Sequence, residues 1–121
     1  MVKAQVLIVD DQEGIRQLLH ETCHLLGYKA LTAKSGVEAL ALAQKHDFQL
    51  ALVDLKMPGL DGFSTMERLL AVENRLNLIA MSGYGEMELN DFPPHLKVAA
   101  IMKKPFDLME LKSLLEKNLK K

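Results

Sequence analysis

Val53-Asp54-Leu55-Lys56-Met57-Pro58-Gly59-Leu60-Asp61-Gly62 is the stretch on which the reading of this chain turns. The apolar run Leu50-Ala51-Leu52-Val53 stops at one carboxylate, Asp54, and Pro58 and Gly59 force a turn soon after. Asp61-Gly62 then opens a helix, with Asp61 placed to cap it. An acid at the carboxyl end of a buried strand stands on the edge where open α/β sheets bind ligands. Taken alone, Asp54 is an ordinary turn residue. What surrounds it has to decide between the two.

Working outward, the chain alternates short apolar runs with helical periodicity. Val6-Leu7-Ile8-Val9 is continuous and β-branched, as suits a strand covered on both faces. It ends in Asp10-Asp11. Ile15, Leu18, Leu19, Thr22, Leu25 and Leu26 recur at three- and four-residue steps, and Gly27 is placed to end that helix. Residues Tyr28 to Ala33 read as a second strand. Ser35 and Glu38 fit a capping box for a second helix ending near His46. Gln49 to Val53 delivers Asp54. Phe63, Met66, Leu69 and Leu70 form a third helical face, and Leu76 to Met81 a fourth strand that ends in Ser82-Gly83. A short helix over 86–91 must stop at Pro93-Pro94, because proline lacks the donor and restricts the residue before it. Lys97 to Met102 reads as a fifth strand, followed by Lys103-Lys104-Pro105. Asp107 with Glu110, and Phe106 with Leu111, mark the start of a last amphipathic helix. Five alternations with short connections predict a doubly wound α/β domain with a parallel sheet.

Composition narrows the function. A chain of 121 residues, 49% apolar and 26% charged, suits one soluble globular domain over residues 1–121. A formal net charge of -1 gives no electrostatic case for nucleic acid. The single cysteine, Cys23, makes no internal disulfide and reads as a buried structural thiol. No stretch supplies the roughly eighteen apolar residues of a membrane span. A cytoplasmic location is expected.

Parallel strands would bring Asp10-Asp11, Asp54, Ser82 and Lys104 to one rim. Each has a plain structural reading as a helix cap, a loop residue or a solvated strand end. Together they suggest more. Clustered carboxylates repel and raise one another's pKa values, so they favour a cation. An all-oxygen set suits Mg²⁺, which also accepts phosphate oxygens. A carboxylate is a nucleophile toward phosphorus, and a lysine and a hydroxyl stabilise the transferred group's oxygens.

Four motifs carry a family likeness: Ile8-Val9-Asp10-Asp11-Gln12, Asp54 through Gly62, Met81-Ser82-Gly83-Tyr84-Gly85-Glu86 and Lys103-Lys104-Pro105-Phe106. From Ala4 to Leu119 the chain resembles a response-regulator receiver domain of two-component signalling. It most resembles the stand-alone receivers of sporulation-type phosphorelays, which share Asp-Asp-Gln, Gly14-Ile15-Arg16 and Tyr-Gly-Glu. The resemblance implies the flavodoxin-like (βα)5 fold with a five-stranded sheet in the order 2-1-3-4-5. It implies that Asp54 accepts a phosphoryl group from a phosphohistidine, on a sensor histidine kinase or a histidine phosphotransfer protein. Asp10 or Asp11, with Asp54 and the backbone carbonyl of Lys56, would hold Mg²⁺. Ser82 and Lys104 would each contact a phosphoryl oxygen. Lys103 would be a solvated neighbour.

Such a domain catalyses only its own phosphorylation and dephosphorylation. It then passes the group on or binds a downstream protein, as a monomer or a dimer formed on phosphorylation. Long side chains at Lys56 and Tyr84, beside the reaction centre, suggest slow loss of phosphate. Ile15 is either core or an exposed contact for the partner's helical domain. Three positions depart from the family pattern. Ile101 stands where an aromatic switch residue is usual, Lys97-Val98 replaces a small pair, and Pro93-Pro94 shortens the fourth helix.

Other classes fit less well. A haloacid-dehalogenase-type phosphatase needs a second Asp two positions after the nucleophile, and Lys56 stands there. A nucleotide-binding enzyme wants a glycine-rich loop after strand one, and the chain has Asp-Asp-Gln-Glu. The start at Met1 and the lack of a linker after Leu119 favour a stand-alone receiver. The alternative is a module cut from a larger transcription factor or hybrid kinase.

Overall fold

Val6-Leu7-Ile8-Val9 has no polar face to offer water, so it must lie between two covering layers. In the computed structural model, which describes residues 2–3, 5–83 and 92–119, it is strand β1 (Val6–Val9), buried at every position. The other strands are β2 (Ala30–Ala33), β3 (Leu50–Asp54), β4 (Asn77–Ser82) and β5 (Ala100–Lys103). All neighbours are parallel and the order is 2-1-3-4-5, the flavodoxin-like arrangement. A two-residue parallel pairing of Val2–Lys3 with His46–Asp47 adds a small second sheet. So short a run carries no periodicity, and the sequence does not announce it.

Four helices are found among the described residues: α1 (Glu13–Leu25), α2 (Gly36–Lys45), α3 (Gly62–Val72) and α4 (Leu108–Asn118). Strand alternation sends Val6, Ile8, Leu52, Ile79 and Met81 to one face, against Leu19 and Cys23 of α1 and Leu111 and Leu115 of α4. The alternate residues Leu7, Val9, Val53, Leu78 and Ala80 meet Ala39 and Ala43 of α2 and Met66 and Leu69 of α3. Each large aliphatic chain buried this way contributes about 1.5–3 kcal/mol. The central strands are therefore held from both sides.

Local chemistry sets the helix ends. Gly27, at φ 88°, closes α1 in a Schellman arrangement: its N–H donates to His24 O at 3.0 Å, and the Tyr28 N–H donates to Cys23 O at 2.9 Å. Ser35 Oγ accepts from the Glu38 N–H at 3.1 Å. The Glu38 carboxylate reaches one residue further back than a capping box requires, to the Lys34 N–H at 3.2 Å. Asp61 caps α3 by accepting from the Ser64 N–H at 2.8 Å, and Asp107 caps α4 through the Met109 N–H at 2.8 Å. Phe106 packs partly buried against the cluster that contains Leu111.

Four strands begin later than expected, β3 and β4 by one residue, β2 at Ala30 rather than Tyr28 and β5 at Ala100 rather than Lys97. Pairing depends on the neighbour's register, which composition does not encode: β5 joins the ladder where Ala100 faces Ile79. Just before it, Phe92 rests on Phe63 with ring centroids 5.1 Å apart, and the Leu96 N–H closes a turn onto Pro93 O at 2.9 Å. The short helix expected over 86–91 lies outside the described residues.

Candidate functional site

Four of the five strands deliver chemistry at their carboxyl ends. Asp10 follows β1 directly, Asp54 ends β3, Ser82 ends β4 and Lys104 follows β5. The registers Val9 to Val53, Asp54 to Met81 and Ser82 to Lys103 bring these ends level. Asp10 is wholly buried, Asp54 nearly so, and Asp11 is exposed. Oxygens of all three carboxylates nonetheless lie within 4.8 Å of one another.

Lys104 Nζ donates to Asp10 Oδ2 at 2.7 Å and stands 3.4 Å from Asp54 Oδ2. Lys103 beside it is exposed. The Lys104 N–H also donates to Ser82 O at 2.7 Å, which ties β5 to β4 at the rim. Ser82 Oγ is buried and has no hydrogen-bond partner among the described residues. A buried hydroxyl left unsatisfied is costly unless something arrives to accept from it. The Lys56 N–H donates to Asp54 Oδ1 at 3.2 Å, and the Lys56 side chain is exposed.

The electrostatics follow from this crowding. Burial, and then the Asp10 charge, push the Asp54 carboxyl up to about 6, against the partial relief given by Lys104 and the Lys56 N–H. Burial works to lower the Lys104 ammonium, but its hydrogen bond to Asp10 and the charges of Asp10 and Asp54 outweigh that and raise it. Asp54 is thus a carboxylate held at a cost, and a cation would relieve it. Three oxygen donors at close range suit a hard divalent ion.

The turn that follows Asp54 depends on two glycines. Gly59 sits at φ 77° directly after Pro58, the pairing that a type II turn requires. Gly62 packs so tightly that a Cβ there would collide with the carbonyl oxygen of Asp54 and lie 2.6 Å from Leu55 Cα. Only glycine lets α3 start against the backbone that carries Asp54. Two polar contacts have no counterpart in the sequence reading. Arg16 Nη1 donates to the backbone carbonyl of Asp10 at 2.7 Å, and Gln12 Oε1 accepts from Lys104 Nζ at 3.4 Å. A basic residue in the first helical turn, where acids are favoured, was the available signal for the first.

Elsewhere, Ile15 is half-buried against the α1–α4 cluster, Ile101 is half-buried in β5 and Cys23 is fully buried. Tyr84 lies outside the described residues.

The profile of the response regulator receiver domain matches residues 6–116. The chain belongs to that family. Among characterised relatives, this receiver is 35% identical over 119 residues to sporulation initiation phosphotransferase F of Bacillus subtilis, covering 98% of this chain and 96% of that one. It is 30% identical to the regulatory protein AtoC of Escherichia coli, over 95% of this chain and 25% of that larger protein. The receiver fold is shared with the Vibrio cholerae chemotaxis protein CheY4, at TM-score 0.84 and 29% identity, over 98% of this chain and 99% of that one. Relatives of both kinds thus exist, chains of this length and larger regulators that contain a receiver. The protein is a receiver domain of two-component signalling.

Proposed function

We propose that Asp54 is the phosphoryl acceptor of this receiver and that the donor is a phosphohistidine on a sensor histidine kinase or a histidine phosphotransfer protein. In the step itself, an Asp54 carboxylate oxygen forms the new P–O bond as the P–N bond to the donor histidine breaks. The bonding pair returns to the imidazole nitrogen. One observation carries this reading: Asp54 stands within a cluster of carboxylate oxygens, beside a lysine, at a rim where a buried hydroxyl has no hydrogen-bond partner among the described residues.

Asp10, Asp11, Asp54 and the Lys56 backbone carbonyl would hold Mg²⁺, whose charge would offset that of the incoming phosphoryl oxygens. Lys104 pairs with one phosphoryl oxygen, and Ser82 Oγ donates to another. Lys104 stands 3.4 Å from Asp54, and Ser82 ends the strand paired with the one that carries Asp54, so little reorganisation would be needed at the moment of transfer. Gly62 holds the acceptor's backbone in place. The chain acts as one cytoplasmic receiver domain, a signalling module that turns over no other substrate. It passes its phosphoryl group on, as the name of the Bacillus relative suggests, or binds a downstream protein. A long side chain at Lys56, two residues after Asp54, supports slow hydrolysis, and Ile101 in place of an aromatic residue supports a readout other than an aromatic switch.

Phosphotransfer profiling tests the assignment. The chain is mixed with each phosphorylated histidine kinase and histidine phosphotransfer protein of its source genome. The wild type takes label rapidly from a cognate donor, and Asp54→Asn takes none. Equal labelling of Asp54→Asn by the same donor would contradict the reading.

A further inference from the structure

The loop that carries two of the three acids is only Asp10-Asp11-Gln12, between the end of β1 and the start of α1. Every polar atom of Asp10 is engaged. Its N–H donates to Ala33 O at 3.2 Å, Oδ1 accepts from the Gln12 N–H at 2.9 Å and Oδ2 accepts from Lys104 at 2.7 Å. The remaining atom, the backbone carbonyl, accepts from Arg16 Nη1 at 2.7 Å. Without Arg16, that carbonyl would belong to a wholly buried residue and lack a partner among the described residues.

Two features of α1 make this contact more than incidental. Arg16 is the fourth residue of the helix, at the end whose dipole disfavours a cation. The helix also starts without a side-chain cap, because Gln12 makes no capping bond and its amide oxygen faces Lys104 instead. The start of α1 and the acid loop are therefore joined through Asp10 and Arg16, by a charge-assisted bond on one side and the Gln12 N–H on the other.

We propose that Arg16 is a positioning residue for the acid cluster: its guanidinium clamps the Asp10 carbonyl and fixes the turn that aims the Asp10 and Asp11 carboxylates at Asp54. The proposal rests on reading that cluster as a Mg²⁺ site. Partners that orient metal ligands without touching the metal commonly change affinity by tenfold or more when removed. The clamp opposes, and outweighs, the repulsion that a nearby guanidinium exerts on a divalent ion.

The test is Mg²⁺ titration of the full chain, followed by ¹⁵N–¹H shifts, for the wild type, Arg16→Met and Arg16→Lys. Amide exchange at Gln12 and thermal melting are measured in EDTA on the same samples. Arg16→Met weakens Mg²⁺ binding about tenfold, speeds Gln12 exchange and lowers the melt by a few degrees as the Asp10 carbonyl loses its partner, with the chain still folded at the titration temperature. Arg16→Lys, which retains one point donor, falls between it and the wild type. If Arg16→Met does not fold, Arg16→Gln, a neutral donor, takes its place with the same expectation. Mg²⁺ affinity within twofold of the wild type, or tighter, overturns the clamp. If the wild type itself binds no Mg²⁺, the metal reading fails instead, and Gln12 exchange alone then decides the clamp: unchanged protection in Arg16→Met overturns it.

Discussion

At the scale of the residue, Asp54 combines a reactive group with an unfavourable home. Its carboxyl, pushed up to about 6 mainly by burial and next by Asp10, is penalised when ionised. A raised pKa means that the folded state holds the proton more tightly than the unfolded one. Stability linked to Asp54 is therefore intact below about 4 and falls as pH rises through about 6. In EDTA, Asp54→Asn should be more stable than the wild type by about 2 kcal/mol at pH 7.5 and no more stable at pH 3.5, as read by urea unfolding. A difference that does not change with pH would refute this account of the cost. Cys23 shows the same sign at the other end of the scale. Burial pushes its thiol up to about 11 from 9.0, so native protein should resist thiol reagents at pH 8 and react on unfolding, and the Cys23 contribution to stability should fade between about 9 and 11.

At the scale of the element, two glycines should respond in opposite directions. Gly14 in α1 has nothing within 4 Å of where its Cβ would lie, so Gly14→Ala should stabilise by about 0.5–1 kcal/mol through helix propensity and a restricted unfolded chain. Gly62 opens α3 against the Asp54 and Leu55 backbone, so Gly62→Ala should cost about 1–3 kcal/mol and slow phosphorylation with it. Urea melts of the pair check both signs. These elements also show what a sequence discloses. Strand interiors, the Asp61 cap and the Gly27 stop were legible because each rests on local chemistry: unbroken apolar runs, a short polar oxygen, a positive φ. The start of β5, the 2–3 to 46–47 pairing and the Arg16 clamp were not, since each depends on a partner far along the chain or on where a long side chain folds back. The site residues were legible for a different reason. In a parallel sheet every strand's carboxyl end reaches the same edge, so the order of strands along the chain was enough to place Asp10, Asp54, Ser82 and Lys104 on one rim.

At the scale of the whole molecule, two apolar layers fix the five strand ends so that four of them bring charged or polar groups to one rim. Among the described residues no helix is long and apolar enough to cross a membrane. A metal that binds only the folded rim must stabilise the whole fold by mass action. Mg²⁺ at a hundred times its dissociation constant should add about 2.7 kcal/mol, seen as a concentration-dependent rise in melting temperature. Asp54→Asn should lose most of that rise, and an equal rise in the variant would place the ion elsewhere. Asp54 alone is proposed to take the phosphoryl group. Intact-protein mass spectrometry after incubation with acetyl phosphate and Mg²⁺ tests it most directly. The wild type should gain the mass of one phosphoryl group, and gain none when EDTA is present from the start, while Asp54→Asn gains nothing; a variant that gains the same mass as the wild type would contradict this assignment.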